Sequence, residues 1–65
     1  MQHLVRWFVI KNGVPAPPAE LAVEAPSLDG ARAAARERLE TEGYRIRSLT
    51  CGPMGLVAYV EERGP

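Results

Sequence analysis

One cysteine and one histidine, Cys51 and His3, are the residues whose chemistry would matter most in an enzyme of this chain. A reactive thiolate needs a lowered pKa, supplied by a helix N-terminus, a base or a nearby cation. Cys51 stands in S-L-T-C-G-P-M-G, residues 48–55, with Pro53 at the second position of a turn and Gly55 at the fourth. That places the thiol at a strand end beside a tight hairpin, with Arg45 and Arg47 as distant cations. His3 would reach it only if the first and third strands were neighbours, and no third group is set to orient the imidazole. One His and one Cys are too few to make a protein metal site. The carboxylates are scattered over solvent faces, not paired in a cleft. The chain therefore reads as non-enzymatic, without catalytic, metal-binding or cofactor-binding residues, and Cys51 reads as a small residue ending a strand.

The arginines offer a second chemistry. Arg45 and Arg47 share one side of a strand. Arg6 and Phe8 join them on an outer face if Val5, Trp7 and Val9 form the buried side of the first strand. Arginines beside an aromatic ring make the surface that single-stranded nucleic acid uses for phosphates and stacked bases. Eight basic and eight acidic residues, however, leave a net charge of zero, and no glycine-and-aromatic RNA-binding signature is present. On the plainer reading these arginines are solvated or paired with Glu24 or Glu61. Nucleic-acid binding through Arg6, Arg45 and Arg47 is thus the alternative, not the favoured reading.

The elements that must position these groups follow from periodicity. Leu4–Lys11 predicts a strand with apolar residues on both faces: Val5, Trp7 and Val9 on one, Leu4, Phe8 and Ile10 on the other, interrupted by Arg6. Such a strand belongs inside a sheet. Asn12-Gly13 signals a turn, and with Pro15, Pro17 and Pro18 the stretch 12–19 reads as a long, rigid hairpin loop. Glu20–Ala25 alternates as a half-buried strand. Pro26 stops it, Ser27 is a helix N-cap, and Asp29 sits in the first turn, where the helix dipole favours an acid.

The helix is predicted from Leu28 to Glu42. Leu28, Ala31, Ala35 and Leu39 form its buried stripe with Ala34 beside them, and Arg36–Glu40 and Arg38–Glu42 are spaced to pair. Gly43 ends it. Tyr44–Thr50 follows as a third strand, with Tyr44, Ile46 and Ser48 opposite Arg45, Arg47 and Leu49. Leu56–Glu61 is the fourth, with Leu56, Ala58 and Val60 opposite Val57, Tyr59 and Glu61. The polar tail after it is expected to fray. The run V-E-A-P-S-L-D-G-A-R-A-A-A-R-E-R-L-E-T-E-G-Y, about a third of the chain, resembles a strand–helix–strand piece found in several unrelated bacterial proteins, among them cytoplasmic domains of secretion-platform proteins. The resemblance implies the local fold and no function.

The expected architecture is α+β, in the order β-β-α-β-β. It is a four-stranded antiparallel sheet of strand order 2-1-3-4 with one helix on one face. At 65 residues the chain is expected to be one domain with a thin core. A lone cysteine makes no internal disulfide, Arg6 interrupts any signal-like apolar stretch, and the longest apolar runs fall far short of a membrane helix. A cytoplasmic protein without membrane contact is expected, and the excess of Arg, Ala, Gly and Pro fits a GC-rich bacterial genome. One helix leaves the second sheet face bare, and strands one and four place apolar residues there, which is costly to leave wet. The sequence therefore points to a small interaction module, most simply a homodimer, with Trp7, Phe8, Val57 and Tyr59 as candidate anchors.

Overall fold

A computed structural model of the chain describes residues 1–53 and 55–63. Strand β1 (Gln2–Lys11) turns back at Asn12 and Gly13, whose φ angles are 53° and 77°. Two successive positive φ angles make a type I′ turn, the geometry that matches strand twist and that Asn-Gly adopts most cheaply. Strand β2 (Val14–Pro15) and, after Pro17 and Pro18, strand β3 (Ala19–Glu24) both pair antiparallel with β1.

The long loop expected over residues 12–19 is therefore a two-residue turn followed by an interrupted partner strand. Ala16 N–H donates to Val9 O at 2.8 Å, and Ala19 lies opposite Trp7. Three steps on the partner thus match two on β1, which is the count of a bulge. Pro15 faces Ile10, a position between hydrogen-bonded pairs, so its missing N–H costs no ladder bond.

Helix α1 (Leu28–Thr41) starts at the expected cap, with Ser27 Oγ accepting from Gly30 N–H at 3.1 Å. Ala31, Ala35 and Leu39 are buried against the sheet, and Arg38–Glu42 pairs at 3.2 Å. Leu28, expected in the stripe, is 45% exposed. Helical side chains lean toward the N-terminus, so a first-turn leucine projects past the start of the helix instead of onto the sheet. Gly43 takes φ 98° and ends the helix.

Strands β4 (Tyr44–Gly52) and β5 (Gly55–Glu62) form the second hairpin. Met54, between them in the sequence, and residues 64 and 65 of the tail lie outside the described residues. The α+β class and the single helix on one face stand, but the sheet is mixed. Its order is β2-β1-β5-β4, with β3 on the same edge of β1 as β2. The expected all-antiparallel order 2-1-3-4 is corrected: β1 neighbours the last strand and runs parallel to it, and β4 takes the edge. The reason is burial. β1 and β5 are the strands apolar on both sides, and only the two central positions cover both. The helix then crosses over them to join the parallel edge strands β3 and β4, which a hairpin could not do.

A bulge corrects the faces of β4 as well. The register shifts between Ile46 and Ser48, leaving Arg47 as the extra residue. Ile46 lies opposite Val60 and Leu49 opposite Ala58, so Tyr44, Ile46 and Leu49 serve the core, while Ser48 moves to the other face opposite Tyr59. The buried core is small: Leu39, Leu49, Leu56, Val5, Val23, Val60 and the alanines at 25, 31, 35 and 58. Where β5 meets β1, Gly55 takes φ 124°, and a Cβ there would lie 2.5 Å from Leu4 O. Only glycine fits that approach.

Candidate interaction face

Residues of β1 alternate between the helix side and an open side. Val5 is buried in the core on the helix side, with Trp7 and Val9 packed against it. Leu4, Arg6, Phe8 and Ile10 occupy the open side. Because β5 is the immediate neighbour, Phe8 lies opposite Tyr59 and Arg6 opposite Val57. The Phe8 and Tyr59 rings stack at 5.1 Å with planes 16° apart, an offset pairing worth about 0.5–1.5 kcal/mol beyond its area. Leu4 extends the patch and is 40% exposed. Of the four expected anchors, the fold gathers Phe8, Val57 and Tyr59. Trp7 lies on the other face, its ring 5.0 Å from Tyr44 beside the helix. The alternation of β1 makes Trp7 and Phe8 exclusive, and the core takes the larger ring.

Charge flanks this centre on both sides. On the β3 side, Arg6 Nη2 donates to Glu20 Oε2 at 3.1 Å, and the N-terminal amine meets Glu24 at 2.7 Å. On the β4 side, Arg45 Nε donates to Glu61 Oε1 at 2.9 Å, Arg45 Nη2 reaches the same oxygen, and Arg47 approaches Glu61 at 3.9 Å. Hydrogen bonding from Arg45 holds the Glu61 carboxyl below the usual glutamate range; desolvation opposes this, and the charges of Arg45 and Arg47 add to it. Lys11–Glu62 closes the end at 3.0 Å. The three arginines are thus divided between two flanks with Val57 and Tyr59 between them, and each has a carboxylate partner. Glu20 as the partner of Arg6 was not foreseen; it follows from the hairpin register, which sets the two opposite each other.

Cys51 is exposed near the end of β4 and lies opposite Leu56. His3 lies opposite Val23 on β1. Strand β5 separates their strands, so the adjacency that a His3–Cys51 dyad requires is not met. His3 Nε2 and Trp7 Nε1 are buried without a hydrogen-bond partner among the described residues. Among those residues no group of three or more His, Cys, Asp or Glu converges in a way that could hold a metal ion, and no helix is long and apolar enough to cross a membrane. No protein-family model, curated protein or solved structure matches the chain.

Proposed function

We propose that the protein is a non-enzymatic interaction module that forms a homodimer through its open sheet face. The stacked Phe8–Tyr59 pair, on the side that no helix covers, is the observation that carries this reading. Two further features support it. The core is rich in alanine, so a domain this small gains from burying a second face. The accessible surface of 4404 Å² exceeds the roughly 4,100 Å² typical of a compact monomer of this size.

The flanks supply complementarity to a second copy. Glu20 and Glu24 lie on the β3 side, Arg45 and Arg47 on the β4 side. A two-fold axis between facing sheets and along the strands sets the β3 flank of each copy, where Arg6 and the N-terminal amine pair with Glu20 and Glu24, over the β4 flank of the other, where Arg45 and Arg47 share Glu61. Exposed rim charges of this kind select register more than they add affinity. Sedimentation equilibrium from low to high micromolar concentration, at two salt levels, tests the proposal. The expected result is a dimer that persists at high salt and dissociates in Tyr59→Arg. A monomer throughout rejects it and makes an RNA titration against Arg6, Arg45 and Arg47 the next measurement, with steep salt dependence as the mark of that alternative.

A further inference from the structure

The two edges of the sheet are managed differently. The β4 edge is broken by the bulge at Arg47, and Arg32 Nη2 donates to the Leu49 carbonyl at 3.2 Å. Both are devices that blunt an edge against pairing. On the β3 edge the bulge lies before the strand, between Ala16 and Ala19, and Glu20–Glu24 run regularly. Ala25 N–H donates to Met1 O at 3.1 Å and Ala16 N–H to Val9 O at 2.8 Å. Both acceptors are odd-numbered, Met1 just before β1 and Val9 within it, and antiparallel bonds alternate, so β3 bonds β1 through Ala19, Leu21 and Val23. The N–H and C=O groups of Glu20, Ala22 and Glu24 therefore point outward, with no strand beyond them among the described residues.

Beside this edge runs a groove between β3 and the flank of the helix, lined by Val23, Glu24, Ala34, Glu37, Arg38 and Thr41. Its charges are unequal. Glu24 is paired with the N-terminus at 2.7 Å and Arg38 with Glu42 at 3.2 Å. Glu37 has no ion-pair partner among the described residues.

We infer that the outer edge of β3 and this groove bind an extended peptide segment, which adds as a further antiparallel or parallel strand and places a lysine or arginine against Glu37. Backbone groups of Glu20, Ala22 and Glu24 supply the main-chain bonds, and alternate side chains of the segment enter the groove over Val23 and Ala34. A second copy of the chain is the poorer occupant. Two β3 edges paired about Ala22 set Glu20 of each copy opposite Glu24 of the other, a like-charge arrangement. The β3 edge adjoins the open face, whose flank also carries Glu20 and Glu24, so Glu37, on the helix side of the groove, is the residue that separates this inference from the homodimer.

The test is selection from a random heptapeptide display library on the full chain, followed by titration of enriched synthetic peptides with amide NMR. Enriched peptides should carry a basic residue within an alternating apolar pattern and shift the amides of Glu20, Ala22 and Glu24. Ala22→Pro removes an outward donor without touching the β1 ladder and should weaken binding at least tenfold. Glu37→Lys, a surface change that leaves both strands intact, should reverse the preference from basic to acidic peptides. No enrichment, equal binding to Ala22→Pro and Glu37→Lys, shifts confined to Phe8 and Tyr59, or pairing of β3 edges between copies without peptide each overturn the inference.

Discussion

Replacing Gly55 with alanine probes the point where the last strand closes against the first. Two costs combine there. The backbone sits at φ 124°, a region that costs a residue with a Cβ about 1–3 kcal/mol. The new Cβ would also lie 2.5 Å from Leu4 O, a backbone atom of a central strand that cannot rotate away. β1 and β5 would have to part at the start of their pairing, a strain of about 1–3 kcal/mol by analogy with overpacked cores. Gly43→Ala is the matched control. Its φ is 98° with nothing within 4 Å of the added carbon, so it carries the conformational cost alone, about 1–2 kcal/mol. A domain of this length has a total stability of roughly 3–10 kcal/mol, so Gly55→Ala removes a large fraction of it. Urea unfolding followed by Trp7 fluorescence gives both losses from midpoint and slope. A Gly55→Ala chain that stays unfolded where Gly43→Ala folds meets the expectation at its upper limit. Equal losses, within about 0.5 kcal/mol, would refute the close approach of β5 to β1 and with it the steric argument.

Leu39→Ala should cost about 2–5 kcal/mol, since Leu39 is one of the few large side chains fully buried under the helix; thermal unfolding reads this directly. Trp7→Phe should change stability by less than about 1 kcal/mol, because removing a buried, unpartnered N–H offsets much of the lost ring area; urea unfolding followed by circular dichroism checks it. Glu61 should titrate below ordinary glutamates in carboxyl-resolved NMR, and Arg45→Met should return it toward them. Because its folded pKa is depressed, its contribution is present above the unfolded value of about 4.3 and fades as pH falls through the folded value. A Glu61→Gln chain should therefore lose the acid-side part of the stability profile that the parent shows.

What could be read from the sequence was mostly local. The Ser27 cap, the Ala31–Ala35–Leu39 stripe, the Gly43 stop and the Asn12-Gly13 turn depend on neighbouring residues, and the structure places them as expected. Val57 and Tyr59 on one face of β5 followed from two-residue alternation, which left open whether Trp7 or Phe8 would join them. What failed depended on residues distant in the chain. Alternation in β4 predicts Ser48 beside Ile46, but the extra residue at Arg47 reverses every later position, and no local signal marks it. Val14, Pro15 and Ala16 read as part of a loop because their pairing with β1 is followed by a bulge that only the paired strand defines. The choice of neighbour for β1 was a matter of comparing burial across the whole sheet. The both-sided apolar character of Leu56–Val60 was visible, and giving it equal weight with β1 would have put the two strands together.

The parallel pairing of β1 with β5 also governs how the chain can be made. Of the described strands, the first to be synthesised has its principal partner in the last. During synthesis β1 can first fold back only on β2 and β3, which leaves its other edge uncovered until β5 has emerged. Loop closure between the ends must precede the gain from central packing, so folding is expected to be slow for so short a chain. Truncation of either end then removes a middle strand, not a fringe.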